Sequence, residues 1–135
     1  MKTRVFDVRG DDAALYETIR PWWQGRDMAV LPVGMLSPCG VLVEADELPV
    51  AAVWIYFTCN TGIAWVEFLV TNPACSAVQA AKGIKVLLGA VDEVAKALGY
   101  EVLFTMTEKG SLLRTLKRSG YIENHSGVTQ LVKRL

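Results

Sequence analysis

The feature that most constrains the fold is a strand–helix–strand pattern in the middle of the chain. Ile63–Thr71 is largely apolar on both faces, which predicts a strand covered by helices on both sides. The clearest helical pattern of the chain follows and ends at Gly99, and Glu101–Met106 then predicts a second buried strand. Because such crossovers are right-handed and join parallel strands, we expect the two strands to be parallel in one sheet. The apolar stripe of the helix is Ile84, Leu87, Leu88, Val91, Ala95 and Leu98.

Two further strand patterns precede this unit and predict an antiparallel meander. Gly40–Glu44 and Pro49–Cys59 are apolar runs, and turns of small polar residues separate them from each other and from Ile63–Thr71. Upstream of the meander, Thr3–Val8 alternates and predicts a short strand, and Asp12–Trp23 has helical spacing and predicts a helix. Gln24–Pro38 holds prolines and glycines, which predict an irregular connection.

The C-terminal part is predicted to hold one helix and one hairpin. Ser111–Ser119 carries three leucines on one helical face and ends at Gly120. Tyr121–Glu123 and Val128–Val132 flank a polar turn and predict the two strands of a terminal hairpin. The predicted fold class is therefore α/β (α+β), with a mixed central sheet of about six to seven strands flanked by helices. We expect one domain over residues 1–135.

Composition argues against several classes of protein. Lys and Arg number 14 and Asp and Glu number 14, so the formal net charge is zero, which disfavours a nucleic-acid surface. Three cysteines without a Cys-x-x-Cys spacing, and a single histidine, disfavour a disulfide framework and a metal site. The N-terminus lacks the apolar core of a signal peptide, and no apolar run is long enough to span a bilayer. We expect a cytoplasmic protein with no membrane partner.

Three stretches resemble the GCN5-related N-acetyltransferase (GNAT) superfamily in their order and spacing. Glu67–Pro73 is similar to the fourth strand of that family and the start of its cofactor loop. Ala95–Tyr100 is similar to the end of the family's long helix, and Leu116–Tyr121 to the stretch before its last hairpin. The resemblance implies a GNAT-like fold, acetyl-CoA as cosubstrate, and transfer of an acetyl group to a primary amine of a small molecule or protein. In that family the fourth strand splays from its neighbour, and acetyl-CoA enters the gap.

The resemblance also assigns residues to the cofactor. Backbone groups of the fourth strand would pair with pantetheine, and a loop with the pattern Q/R-x-x-G-x-G/A would present amide N–H groups to the pyrophosphate at a helix N-terminus. Gln79 matches this pattern, but Lys82 and Ile84 replace the glycine and the small residue, while a shift of one residue would use Gly83 instead. We therefore expect weak binding, with a Kd on the order of 0.1 mM or worse. The candidate cofactor residues are Phe68, Leu69, Val70, Thr71, Gln79, Ala80, Ala81, Lys82, Gly83 and Ile84.

Glu67 is the candidate catalytic residue. Acetyl transfer needs a neutral amine, so a general base must take a proton. Glu67 is the one charge in an otherwise apolar strand, where burial raises a carboxyl pKa, and it matches a glutamate that serves as base in some GNAT members. Alternation places it on the face of Trp65 and Leu69. The alternative is a carboxylate at a strand splay or sheet edge that is simply solvated or salt-bridged.

Two interpretations of the function stay open. One is an acetyl-CoA-dependent N-acetyltransferase. The other is a non-catalytic relative, for example phage-encoded, that keeps the fold as a binding or assembly module. The substituted glycines favour the second, as does Leu116, which stands where many GNAT members place a tyrosine as general acid. Trp22, Trp23 and nearby arginines either line an acceptor pocket or, as paired tryptophans more often do, pack in the core. A homodimer is left open.

Overall fold

The computed structural model describes residues 1–135 and contains one mixed sheet of five strands. The sheet order follows the chain order, and the first four strands pair antiparallel with one another. The last two strands are parallel, which confirms the predicted crossover. The strands are β1 (Lys2–Phe6), β2 (Gly40–Ala45), β3 (Leu48–Phe57), β4 (Ile63–Thr71) and β5 (Val102–Phe104).

Three α-helices and one short 3-10 turn complete the structure. The crossover helix begins at a capping box, in which Ser76 and Gln79 exchange side-chain and backbone hydrogen bonds, and Gly99 follows its end with a φ of 84°. None of the helices combines the length and the apolar character needed to cross a membrane. The helices are α1 (Ala13–Gln24), α2 (Ala77–Ala97) and α3 (Ser111–Arg118), and the 3-10 turn is Val33–Met35.

The sheet separates two apolar cores, as its two-sided apolar strands predict. The α1-side core joins the last turns of α1 to one face of the sheet, and the rings of Trp23 and Trp54 lie 5.5 Å apart there. The α2-side core joins Leu87 and Val91 of the helix to the other face. Trp22 and Trp23 are both buried in the α1-side core, so the paired tryptophans are packing residues.

Two expectations about the sheet are wrong. The structure has five strands instead of six to seven, and Tyr121–Glu123 and Val128–Val132 form no hairpin. The apolar side chains of this terminal segment stay in solvent, with Leu131 and Val132 88% and 87% exposed. A strand as short as Tyr121–Glu123 offers few cross-strand contacts, and a two-stranded hairpin is marginal unless one face is buried.

Candidate functional site

β4 and β5 separate partway along β4. They pair only over Ile63–Trp65 of β4, and the hydroxyl of Thr105 then donates a hydrogen bond to the carbonyl of Val66 at 2.7 Å. On the other side of β4, pairing with β3 continues to Thr71, the last residue of β4. The edge of β4 over Glu67–Thr71 that faces away from β3 therefore has no strand beside it. Such an edge can bind an extended ligand through main-chain hydrogen bonds.

A β-bulge in β4 decides which side chains face the site. Phe68 has a φ of 62°, and the pairing of β4 with β3 loses one residue of register at this point. An extra residue reverses the alternation of every side chain beyond it. Glu67, paired with Trp54, lies on the α1 side together with Phe68, whereas Leu69 packs in the α2-side core. The expectation that Glu67 shares a face with Leu69 is wrong because of this bulge.

Glu67 lies just beyond the last residue of β4 that pairs with β5. Its side chain is half-buried, and no salt bridge or side-chain hydrogen bond holds it. Burial raises the pKa of the Glu67 carboxyl, and with no cation nearby nothing reverses that shift. Burial also raises the pKa of the neighbouring Tyr56, and the charge of Glu67 adds to the increase. A partly desolvated carboxylate of this kind is suited to take a proton from an amine.

A cleft of about 450 Å³ lies where the end of β4 meets the start of α2 and α3. Thr71 and Pro73 contribute the β4 side, and Ser111 and Thr115 contribute hydroxyl groups from α3. Arg26, from the connection after α1, also lines the cleft, and its guanidinium donates a hydrogen bond to the Thr71 hydroxyl at 2.7 Å. The cleft therefore has mostly small and apolar walls, and Arg26 is the one cation in its lining.

Gln79–Ile84, which the GNAT resemblance assigns to a cofactor loop, lies wholly inside α2. Amide N–H groups within a helix bond to carbonyls four residues earlier, so most of this stretch cannot present N–H groups to a ligand. The Gln79 side chain is engaged in the capping box, where its oxygen accepts from the N–H of Ser76 at 3.0 Å. The N–H groups of Ala77 and Val78 are the ones left without an intrahelical partner. The loop placement of Gln79–Ile84 is therefore wrong.

The side chains of Gln79–Ile84 point in different directions. Ala80, Ala81 and Ile84 line the cleft, whereas Lys82 is exposed outside it. Gly83 faces the sheet, where an added Cβ would lie 2.6 Å from Cγ1 of Val50. The glycine thus serves the close approach of α2 to β3.

The four strand residues assigned to pantetheine, Phe68–Thr71, place their side chains in different surroundings. Thr71 lines the cleft, and the ring of Phe68 packs edge-on against Tyr56 at 5.8 Å. Leu69 belongs with the α2-side core and Val70 with the α1-side core, so only their main-chain groups lie at the open edge. Contact of these four residues with a cofactor stays a prediction.

One feature of the site was not predicted from the sequence. The Arg26–Thr71 contact joins residues 45 positions apart, and no local pattern marks it. Leu116, which the resemblance aligns with a tyrosine acid of many GNAT members, is buried at 4% exposure. No group of three His, Cys, Asp or Glu side chains is close enough to hold a metal ion.

The chain is similar to solved structures, although no family model and no curated protein sequence matches it. A probable acetyltransferase has a TM-score of 0.75 at 10% identity, covering 100% of this chain and 99% of that chain. A Mycobacterium tuberculosis protein in complex with CoA has a TM-score of 0.73 at 13% identity, covering 96% of this chain and 76% of that chain. An aminoglycoside acetyltransferase from an uncultured soil metagenomic sample has a TM-score of 0.70 at 13% identity, covering 99% and 95%.

These similarities extend over nearly the whole chain. The identities are low, so the agreement concerns the backbone and not the side chains of the site. The chain has the GNAT fold of the GCN5-related N-acetyltransferases.

Proposed function

We propose that the chain is an acetyl-CoA-dependent N-acetyltransferase that acts on a primary amine of a small molecule or a protein. The observation that carries this proposal is Glu67: a half-buried carboxylate without a cation partner, at the point where β4 and β5 separate. A carboxyl held only for packing would be expected to have a salt bridge or a hydrogen bond, because an unpaired buried charge is costly. Glu67 has neither.

Acetyl-CoA is proposed to lie along the open edge of β4. The amides of pantetheine would pair with the main chain of Phe68–Thr71, as a strand adds to a sheet edge. The pyrophosphate would lie near the free N–H groups of Ala77 and Val78 at the start of α2. Arg26 would contribute a charged donor at the same place, and Ala80, Ala81 and Ile84 would form the apolar wall.

This placement connects the cleft to Glu67. Thr71 lines the cleft, and Glu67 lies four residues back along the same strand. At about 3.3 Å per residue the separation is roughly 13 Å, which an extended pantetheine arm can bridge. A thioester carried on that arm would reach the half-buried carboxylate.

The chemistry uses Glu67 as the base. Its carboxylate takes a proton from the acceptor ammonium, and the neutral nitrogen attacks the thioester carbonyl carbon. A C–N bond forms, the C–S bond breaks, and the CoA sulfur leaves as a thiolate that takes up the second proton of the nitrogen through solvent. Because an unperturbed thiol has a pKa of about 8.5, this leaving group does not require a protein acid. The buried leucine at position 116 is therefore compatible with turnover.

An assay of CoA release tests the proposal. Wild-type protein is incubated with acetyl-CoA and a panel of primary amines, and Glu67→Gln is compared with it. Removing a general base is expected to lower kcat/KM by about 10²–10⁴-fold while leaving acetyl-CoA affinity unchanged. Turnover that is equal in the two proteins over the whole pH range would rule out Glu67 as the base.

A non-catalytic GNAT-fold binding or assembly protein is the second candidate. The observation that favours it is the start of α2, where helix replaces the expected glycine-containing loop and leaves two free N–H groups. A thermal shift with acetyl-CoA or CoA separates the candidates, because a ligand that binds only the native state raises the melting temperature. At 50-fold excess over a Kd of about 0.1 mM, the expected stabilisation is about 2.3 kcal/mol. Absence of any shift at such concentrations would favour the non-catalytic candidate.

A further inference from the structure

The surface around Glu67 is aromatic. Trp65 lies two residues before Glu67 on the same face of β4, and its ring stacks on that of Phe104 with centroids 5.0 Å apart. Tyr56 pairs with Trp65 across the sheet, and Phe68 packs against Tyr56. Trp65 nevertheless keeps 36% of its surface in solvent. A large ring is thus left partly open beside the candidate base.

The same surface carries very little charge. β3, β4 and β5 contain no lysine, arginine or aspartate, and their one glutamate is Glu67. A second cleft, of about 370 Å³, adjoins Tyr56 and is formed largely by the segment 34–38, and its one charged residue is the cation Arg9. No carboxylate lines this cleft. Glu67 is thus the one carboxylate that the three strands and this cleft together offer to a positive charge.

We propose, on the basis of the acetyltransferase function above, that the acceptor is a primary monoamine attached to an aromatic or apolar body. The single ammonium would face Glu67, and the body would lie against the exposed face of Trp65. Ammonium groups and aromatic rings are both favourable partners for an indole face.

A polycationic acceptor fits this surface poorly. Each additional ammonium would lose water on binding and would find no carboxylate to pair with, and an unpaired desolvated charge is costly. Arg9, which lines the same cleft as Tyr56, would add repulsion. The low-identity likeness to an aminoglycoside acetyltransferase therefore does not extend to the acceptor in this proposal.

The test compares phenethylamine with kanamycin as acceptors at saturating acetyl-CoA, by CoA release. Phenethylamine is expected to have a kcat/KM at least tenfold higher. Trp65→Ala is expected to raise the KM for phenethylamine about tenfold with little change in kcat, whereas Trp65→Phe, which keeps a ring, retains most of the affinity. The Kd of acetyl-CoA, measured by calorimetry, is expected to be the same in both variants as in wild type. An unchanged Kd serves as the control that the variants are folded.

Binding is measured in parallel, so that the two proposals can fail separately. Quenching of tryptophan fluorescence gives the affinities of phenethylamine and kanamycin without turnover. The monoamine proposal is overturned, while acetyl transfer stands, if kanamycin is preferred in either assay. It is also overturned if Trp65→Ala leaves the KM for phenethylamine unchanged. Phenethylamine binding that depends on Trp65, with no transfer to any amine, supports the aromatic site and refutes the enzyme. If neither phenethylamine binding nor transfer occurs, both proposals fall.

Discussion

Gly83 and Gly89 lie on the same helix, α2, but meet different surroundings. A Cβ added at Gly83 would lie 2.6 Å from Cγ1 of Val50, whereas one added at Gly89 would have nothing within 4 Å. Val50 is fully buried and β-branched, so its side chain has little freedom to rotate away. Gly83→Ala therefore overpacks the contact between α2 and β3, and Gly89→Ala does not.

The pair of substitutions isolates the packing contribution. Each alanine gains about 1 kcal/mol of helix propensity over glycine, and this gain cancels in the comparison. Overpacking a well-filled core costs about 1–3 kcal/mol. We expect Gly89→Ala to be stabilising and Gly83→Ala to be less stable than it by about 1–3 kcal/mol. At about 4 °C per kcal/mol for a chain of this length, the melting temperatures should differ by roughly 4–12 °C.

Urea and thermal unfolding of the two variants measure this difference. Equal stabilities would show that Val50 moves freely and that the close approach of α2 to β3 is not what requires glycine. Acetyl-CoA affinity of the folded Gly83→Ala protein gives a second result. Because Gly83 faces the sheet, the affinity should change less than about twofold. A tenfold loss would instead place the glycine against the phosphates, as the GNAT sequence motif implies.

Three further predictions concern the site and the start of α2. Arg26→Met should raise the Kd of acetyl-CoA about tenfold in calorimetry, because a charge-assisted hydrogen bond is lost, while Lys82→Met, at an exposed position outside the cleft, should leave the Kd unchanged. Ser76→Ala should lower the free energy of unfolding by about 1 kcal/mol in urea through loss of the helix cap, and an unchanged midpoint would contradict the capping box. Glu67→Gln should raise the melting temperature relative to wild type at pH 8 but not at pH 4. The raised pKa of Glu67 means that folding favours its protonated form, so wild type loses this stability as the pH rises from the ordinary carboxyl pKa through the raised one. A difference between Glu67→Gln and wild type that is the same at both pH values would contradict the direction of that shift.

Regular periodicity made most of the fold predictable. The apolar stripe of α2 and the two-sided apolar strands beside it identified the parallel crossover, and the turn residues identified the meander. The terminal hairpin was wrong because Val128–Val132 has a strand pattern but no surface to bury it against. Pattern alone shows which segments can form strands, whereas pairing depends on what lies beside them.

The candidate site was predictable only in part. Glu67 stood out because a single charge in an apolar strand is costly and therefore informative. Gln79 matched the family motif, yet in the structure it is the third helical residue of a capping box, since Ser76 with glutamine three positions later also suits a helix start. The same residues satisfied two patterns, and local hydrogen bonding determined the outcome.

The sequence by itself determined the order of the elements, the two-sided burial of the sheet and the isolated carboxylate, because these follow from local periodicity and from the cost of burying charge. Only the tertiary structure decided where Glu67 points relative to Leu69, since the bulge at Phe68 holds a non-glycine residue at a φ of 62°. That backbone conformation costs about 1–3 kcal/mol and persists because packing on both faces of β4 compensates for it. The structure alone also brought Arg26 to Thr71 across 45 positions. Both features depend on contacts between distant segments, which no local pattern in the chain encodes.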